Sequence, residues 1–524
     1  MVVPRIHFDM NNNQELRSEK LFKNAAYAIA GYLAYALLGF VSRGIFVNRL
    51  GETLTGVATL FCSILSLLSV AELGFSSAIA IHLYKPLAAG DRRRVAALMN
   101  LYRKAYWLIA ISVFTLGMAI LPFVHLLIKS DSAVPHAKWY FFLYVLQTTF
   151  SYCFSYKGAL IAACQEEYRR TNITNLMLIL TTLAQILLLL FTSSLTPYLI
   201  AAALGTLITN LLIHRKAKKL YPYLDTYKEE KVTKEERQSI FAYIRAASID
   251  RISLSVKSAT DNMITSSFVN VVMTGIVGNY VMVTGTVEKL LGFFFWNCSP
   301  AVGNLTATTD KETQYGTFLD LEYLAFWIYG FLGTGMLCVL TPFVRDIWIR
   351  QDIMVLPFST LFLLILNFFL IGVNFPATIF FEVLGLIQKM PYMNLLNVLI
   401  NLVVSLGLVP FLGVNGVYIG TVLSLILTTF PLTQYLVLHH HFDGKYKPYL
   451  SLSARLLLLT VCTAAACIVL CNWVSLTGLA GIAVKILLCT VAYNGIFLLA
   501  TLRTPQFHSL FTLLMRILTP KHSE

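Results

Sequence analysis

Ionisable side chains inside long apolar runs are the residues of this 524-residue chain best able to do chemistry. A charge in a hydrocarbon environment is costly, so each one marks a place that must be neutralised, hydrated or put to use. Asp250, Lys257 and Asp261 are spaced by seven and four residues, which on a helix places them within about 40° of one face. Ser253 lies beside them, and Arg251 and Ser258 flank the stripe. Such a face must look into protein or a hydrated cavity, because acyl chains cannot satisfy it. Arg43, Glu72, Glu288, Lys289 and Glu382 lie in other apolar runs. Arginine and lysine suit phosphate, so Arg43, Arg251, Lys257 and Lys289 are the candidate ligands of an anionic headgroup in a cationic cavity. Glu72, Asp250, Asp261 and Glu288 are candidate ion-coupling groups or ion-pair partners. Lys257 and Asp261 also have the i, i+4 spacing of a helical pair. The competing reading of each residue is a structural ion pair that neutralises itself and binds nothing.

The remaining reactive residue types are less suggestive. The nine cysteines, Cys62, Cys153, Cys338, Cys462 and Cys489 among them, sit within apolar runs with no zinc-like or redox-like spacing, and read as small packing residues. The triplet His439–His441 offers poor tetrahedral geometry to a metal. No metal and no cofactor are therefore expected. No Asp-x-Asp occurs, and every outer loop is short, so a glycan polymerase or lipid-dependent glycosyltransferase has nowhere to do chemistry. A transporter fits better than an enzyme.

The elements that hold these charges are membrane helices. The chain is 57% hydrophobic and 13% charged, with a mean hydropathy of +0.70. A soluble domain of this size carries about twice that charge. The apolar runs are about 20 residues long, enough to cross a bilayer. Hydropathy predicts fourteen spans, at 25–47, 54–84, 105–128, 139–163, 173–193, 196–214, 250–270, 272–300, 319–344, 354–384, 393–411, 414–437, 454–474 and 478–502. With a cytoplasmic N-terminus, the inner loops receive Lys85, Arg92, Arg93, Arg94, Arg103, Lys104, Arg169 and Arg170, the basic run from Arg215 to Arg237, and Lys445 and Lys447. The outer loops hold only Arg49, Lys129, Lys138, Arg345 and Arg350. The positive-inside rule then places both termini in the cytoplasm. The +14 net charge is mostly this bias; it is scattered over short loops and argues against nucleic-acid binding, while anionic lipid headgroups are natural partners.

The hydrophilic stretch from His214 to Gln238 divides the chain. The predicted organisation is an N-terminal lobe at 1–214, a cytoplasmic linker at 215–238, a C-terminal lobe at 239–441, two further spans at 442–502, and an amphipathic cytoplasmic tail at 503–524. Thr233 and Glu236 fit a capping box that would start the next helix. Gln165, Tyr168, Asn172 and Asn175 after the fourth span echo Gln388, Tyr392, Asn394 and Asn397 after the tenth. Two six-helix lobes around a central cleft is an architecture that transporters use.

One segment points to a family. Ser42-Arg43-Gly44 through Leu50-Gly51 leads into Ser63-Ile64-Leu65-Ser66-Leu67-Leu68-Ser69-Val70-Ala71-Glu72-Leu73-Gly74, then Ser77-Ala78-Ile79 and Leu83-Tyr84-Lys85-Pro86-Leu87. Downstream come Thr260-Asp261-Asn262 and Gly278-Asn279-Tyr280. The pattern resembles the bacterial polysaccharide exporters of the Wzx, or O-antigen flippase, type, within the MOP superfamily of multidrug, oligosaccharidyl-lipid and polysaccharide exporters. The resemblance implies an all-α integral membrane protein with two pseudo-symmetric six-helix lobes plus two C-terminal helices. It implies a flippase of the bacterial inner membrane that moves undecaprenyl-diphosphate-linked oligosaccharide from the inner to the outer leaflet by alternating access, for cell-surface polysaccharide assembly. H+ or Na+ would be the coupling ion, and glycan polymerase machinery a partner. The alternative within the superfamily is a MATE-like cation-coupled drug antiporter. That chemistry favours lone lumenal carboxylates, whereas the first span has none between Glu19 and Glu52 and basic residues accompany the acids elsewhere.

Overall fold

The computed structural model describes the backbone of residues 13–72, 75–129, 134–386, 390 and 392–518. Within these it describes the side chains other than those of residues 13–35, 70–71, 76–77, 79–80, 245–255, 258, 513–514 and 516–518. Among the described residues the regular structure is entirely helical. Eleven helical segments among the described residues are long and apolar enough to cross a bilayer, as expected of a multi-pass membrane protein.

The first helix, α1 (Asn13–Leu68), runs through the first expected span and on into the second. It is kinked at Gly51, whose φ of 80° disfavours any side chain. Then come α2 (Phe75–Ala88), α3 (Arg92–Ile120), and the single turn α4 (Val124–Leu127). The expected span 139–163 is broken into α5 (Ala137–Tyr152) and α6 (Tyr156–Ala163), with Phe154 at a φ of 66° between them. The carbonyls freed at Phe150 and Ser151 are not left bare. The buried Asn210 amide donates to each at 2.9 Å, which meets the demand that backbone groups within a membrane protein be satisfied internally. Next are α7 (Glu167–Thr192) and α8 (Leu195–Leu220), which supplies Asn210, the turn α9 (Tyr223–Thr226), and α10 (Lys234–Ile264).

The rest of the chain continues with α11 (Val271–Trp296), α12 (Ser299–Thr308) and α13 (Lys311–Pro342). After it, α14 (Phe358–Val373) and α15 (Phe375–Val383) part at Asn374, just ahead of Pro376. Then follow α16 (Met393–Leu412), α17 (Val414–Ser424), α18 (Phe430–His440), α19 (Tyr446–Asn472), α20 (Gly478–Thr501) and α21 (Pro505–Leu518). The last falls in the expected amphipathic tail, where Ser509 donates to Asp320 of α13 at 2.6 Å.

Fourteen spans were expected; among the described residues α1 runs as one helix through the first two of them, the fourth is broken at Phe154, and the seventh falls partly outside the described side chains.

The chain forms two compact units. One comprises residues 1–51, 65–124 and 135–251, and the other 52–64, 125–134 and 252–524. In the first, α5 and α7 pack along α8 and α3 along α5, around a core that includes Leu98, Tyr102, Tyr106, Val113, Leu160 and Ile240. The segment between α8 and α10 is strapped to α3. Asn100 donates to the Tyr227 and Glu230 carbonyls at 3.1 and 3.2 Å, and Arg94 pairs with Glu236 at 2.9 Å. Arg92 and Arg93 lie over the rings of Tyr223 and Tyr227. Thr233 caps α10 by accepting from the Glu236 amide at 3.3 Å, while the Glu236 carboxylate is spent on Arg94.

In the second unit α16 lies along α17, and α13 packs with α14, α19 and α20. Gly56 and Gly275 permit a close backbone approach there. A Cβ on Gly56 would stand 1.8 Å from the Val271 carbonyl oxygen, so only small residues fit this contact.

Candidate functional site

The charged stripe on α10 resolves into two unlike groups. Asp261, near the C-terminal end of α10, is half-buried and one oxygen accepts from the Thr421 hydroxyl of α17 at 2.8 Å. Thr421 is itself held by the Asn401 amide of α16, which donates to it at 3.0 Å. The other Asp261 oxygen and the Asn401 amide oxygen are both buried without a hydrogen-bond donor among the described residues. Ser405, one turn beyond Asn401, is fully buried and donates to the Val417 carbonyl at 3.2 Å. A carboxylate, an amide oxygen, two hydroxyls and a carbonyl are thus gathered on three helices of one unit. Hard oxygen donors of this kind suit a proton or a small hard cation.

Local structure supports the cluster. Wide π-type turns follow it on both sides, at Thr265–Val269 after Asp261 and at Leu425–Thr429 after Thr421 and Ser424. Such turns widen the helix and are concentrated at functional sites. The polar ladder continues below, where Asn397 donates to Thr428 at 2.9 Å. On the other side of α10, Asn262 donates to Ser63 at 2.9 Å.

Lys257 stands apart from this network. It is half-buried one turn before Asp261, and it feels the Asp261 charge only at a distance, with no hydrogen bond or ion pair among the described residues. The i, i+4 pair expected from the spacing is not closed, because the carboxylate turns to Thr421 instead. Asp250 and Arg251 lie on the same helix, but their side chains fall outside the described residues.

The other candidates are dispersed. Arg43 is half-buried on α1, its guanidinium 5.8 Å from the centre of the Phe46 ring, which in turn packs edge-on against Tyr198. Glu72 accepts from Tyr106 at 3.1 Å and so belongs to the packing of the first unit. Glu288 and Lys289 are neighbours on α11, the acid half-buried and the lysine exposed. No hydrogen bond joins either to Lys257 or Asp261 among the described residues.

The first unit also holds an apolar groove of about 1010 Å³ between α3 and the start of α10. Phe75, Leu108, Ile109 and Phe241 line it, with Lys104 and Arg237 as its cationic members.

Several polar residues escape a reading based on charges in apolar runs. Thr421, Asn401 and Ser405 are uncharged, and only their four-residue steps along α16 and α17 could have pointed to them. Glu322 of α13 was within reach of that reading; it is fully buried and accepts from Tyr449 at 3.1 Å and Ser453 at 3.3 Å. The cysteines also depart from expectation. Four of the nine come together, because Cys467 and Cys471 share a face of α19 and meet Cys338 of α13 and Cys489 of α20. The histidine triplet diverges, with His439 and His440 against each other and His441 on Gln314 at 2.5 Å.

The fold, a polytopic bundle of helices with polar residues set into its long apolar segments, is one that solved transporter and flippase structures share. Three solved structures show the likeness. "Lipid II flippase MurJ, inward closed conformation" matches with a TM-score of 0.64 at 14% identity, covering 90% of this chain and 98% of that one. A multidrug resistance MATE family transporter of the MOP superfamily, in its inward-facing conformation, matches at 0.57 with 16% identity over 82% of this chain and 98% of that one. The MATE multidrug transporter DinF-BH matches at 0.52 with 17% identity, covering 83% of this chain and 98% of that one. No protein-family model matches the sequence, and no curated protein matches it.

Proposed function

We propose that this protein is a flippase that carries a lipid-linked oligosaccharide diphosphate from the inner to the outer leaflet of a bacterial cell membrane, with both termini in the cytoplasm. The observation that carries this reading is Lys257, an ammonium on a helix within a membrane fold that has no ion-pair partner among the described residues. A half-buried cation with no closed ion pair is held at a cost that a bound phosphate would offset. Arg43, Arg251 and Lys289 are the further cations offered to the headgroup. The groove with Lys104 and Arg237 above apolar walls has the chemistry of an acidic lipid and not of an organic cation, which weighs against a drug antiporter. Polysaccharide or O-antigen assembly is the pathway class suggested by the resemblance at residues 42–87.

Ion coupling belongs to the Asp261 cluster in this reading. Its two donorless oxygens and the hydroxyls beside them would hold H+ or Na+ and so link an ion gradient to the change between inward- and outward-open states. An inside-negative potential adds about 2.3 kcal/mol per 100 mV for each negative charge moved outward.

The test is reconstitution into vesicles with a fluorescent lipid-diphosphate oligosaccharide, comparing wild type with Arg43→Ala and Lys257→Ala. Each charged hydrogen bond lost is worth about 1.5–3 kcal/mol, so the expected slowing is about tenfold or more. Equal rates in all three proteins would remove the cationic assignment, and efflux of organic cations without lipid movement would favour the antiporter.

A further inference from the structure

Four thiols meet inside the second unit, on helices that carry none of the Asp261 cluster. Cys338 lies on α13, Cys467 and Cys471 one turn apart on α19, and Cys489 on α20. These three helices pack against one another. The Sγ atoms of Cys338, Cys471 and Cys489 all lie within 4.8 Å of one another, and those of Cys471 and Cys489 are 3.5 Å apart. The Cys467 thiol reaches Cys489 from the turn before. Cys467, Cys471 and Cys489 are 1–2% exposed and Cys338 is 9% exposed.

Packing alone explains a buried cysteine, but it does not call for four converging on one point. Sulfurs around a single ion at about 2.3 Å would be about 3.8 Å from each other, which lies inside the observed range. The neighbourhood also selects among metals. Thiolates without oxygen or imidazole partners favour soft cations such as Cu(I) over hard ones. Lys485 stands one turn before Cys489, and its carbonyl faces the Cys471 sulfur at 3.9 Å.

We infer that Cys338, Cys471 and Cys489, with Cys467 as a fourth donor, form a thiolate site for a soft monovalent d10 cation, with Cu(I) its natural probe. Each thiol that ligates gives up its proton, so binding strengthens as pH rises. The site is independent of the flippase reading and stands or falls without it. It ties the two C-terminal membrane helices to α13, so an ion there would clasp three helices at one point.

The test uses the full-length protein in detergent with its thiols reduced, titrated with Cu(I) against a chromogenic Cu(I) chelator. Wild type and Cys462→Ser, which changes an exposed cysteine on the same helix, should each withhold one copper. Cys471→Ser/Cys489→Ser should withhold none. Equal retention by the double variant, or failure of reduced wild type to compete, overturns the site. X-ray absorption of copper-loaded wild type provides a check that needs no variant. Sulfur-only coordination supports the site, and nitrogen or oxygen ligands overturn it.

Discussion

The protein treats charge in two opposite ways. The strap of the first unit, where α3 meets the segment before α10, pairs its charges in water: Arg94 with Glu236, and Lys218 and Lys228 with Asp225, with exposures of 57% and 19% for the first pair. The cluster of the second unit holds Asp261 against neutral donors, Thr421 and Asn401, and leaves two oxygens without a donor among the described residues. In water an ion pair is weak but harmless if broken. Within a membrane fold a lone carboxylate is costly, and its neighbours are chosen for what they leave free as much as for what they bond. Under the proposed function the strap is architecture and the cluster machinery.

The sharpest way to break that contrast is Asp261→Ala. It takes from the Thr421 hydroxyl its carboxylate acceptor, leaving it the Val417 carbonyl, and removes the Asp261 carboxylate from the cluster. A hydrogen bond to a charged group is worth about 1.5–3 kcal/mol, so the melting temperature should fall. More telling, any stabilisation by Na+ over a bulky cation such as choline should vanish. A sodium-dependent melting shift that survives in Asp261→Ala would mean that the cluster is only packing.

Thr421→Val comes next in size. It keeps shape and volume but removes the hydroxyl that bridges Asn401 to Asp261. The carboxylate loses its Thr421 donor, an effect of about 1.5–3 kcal/mol, and the ion dependence of transport should weaken without disappearing. Unchanged ion dependence would place the coupling group elsewhere. Asn401→Ser is milder still, since a hydroxyl can replace the amide as donor, and should lower ion affinity while leaving folding intact by circular dichroism.

How much of this the sequence discloses depends on the range of the interaction. Asp261 and Lys257 are the charged residues of the stretch from Ile252 to Ile264, and their period alone puts them on one face. The Thr233–Glu236 cap is equally visible, because both partners lie within four residues. Thr421 is 160 residues from Asp261, and a threonine in an apolar helix is too common to signal a carboxylate partner. The break at Phe154 is hidden for a similar reason. Cys-Phe-Ser is no turn sequence, and what stabilises the open carbonyls is Asn210, about 60 residues on. The cysteines were hidden by reading spacing along the chain, although Cys467 and Cys471 already share a helical face. The overall fold was legible because the bilayer demands long apolar helices; where single crossings end was less so, because α1 continues through a kink at Gly51 and α10 carries a cluster of charges.

Acid should separate the two regions as well. Burial works against ionised Asp225, but hydrogen bonds from Lys218 and Lys228 prevail and hold its carboxyl below the usual range. A carboxyl depressed in the folded state adds stability above its unfolded pKa of about 3.9 and loses it as pH falls through the folded value. The strap should therefore stay closed at any pH above about 4 and loosen only below it, detectable as faster hydrogen exchange at residues 223–236. Exchange that rises already near neutral pH would contradict this assignment.

The smallest effect is expected at Arg94 and Glu236, and it sharpens the comparison from the other side. The pair is short but lies in water on the arginine side, so a double-mutant cycle of Arg94→Ala and Glu236→Ala should give a coupling of about 0.2–1 kcal/mol, falling further in high salt. Glu236→Ala leaves the Thr233 cap in place, since that bond uses the Glu236 backbone amide. The single variant thus isolates the ion pair from the helix start. Transport by Glu236→Ala should match wild type if the strap is architecture. A large coupling, or a transport defect equal to that of Asp261→Ala, would show that the segment between α8 and α10 takes part in the transport cycle.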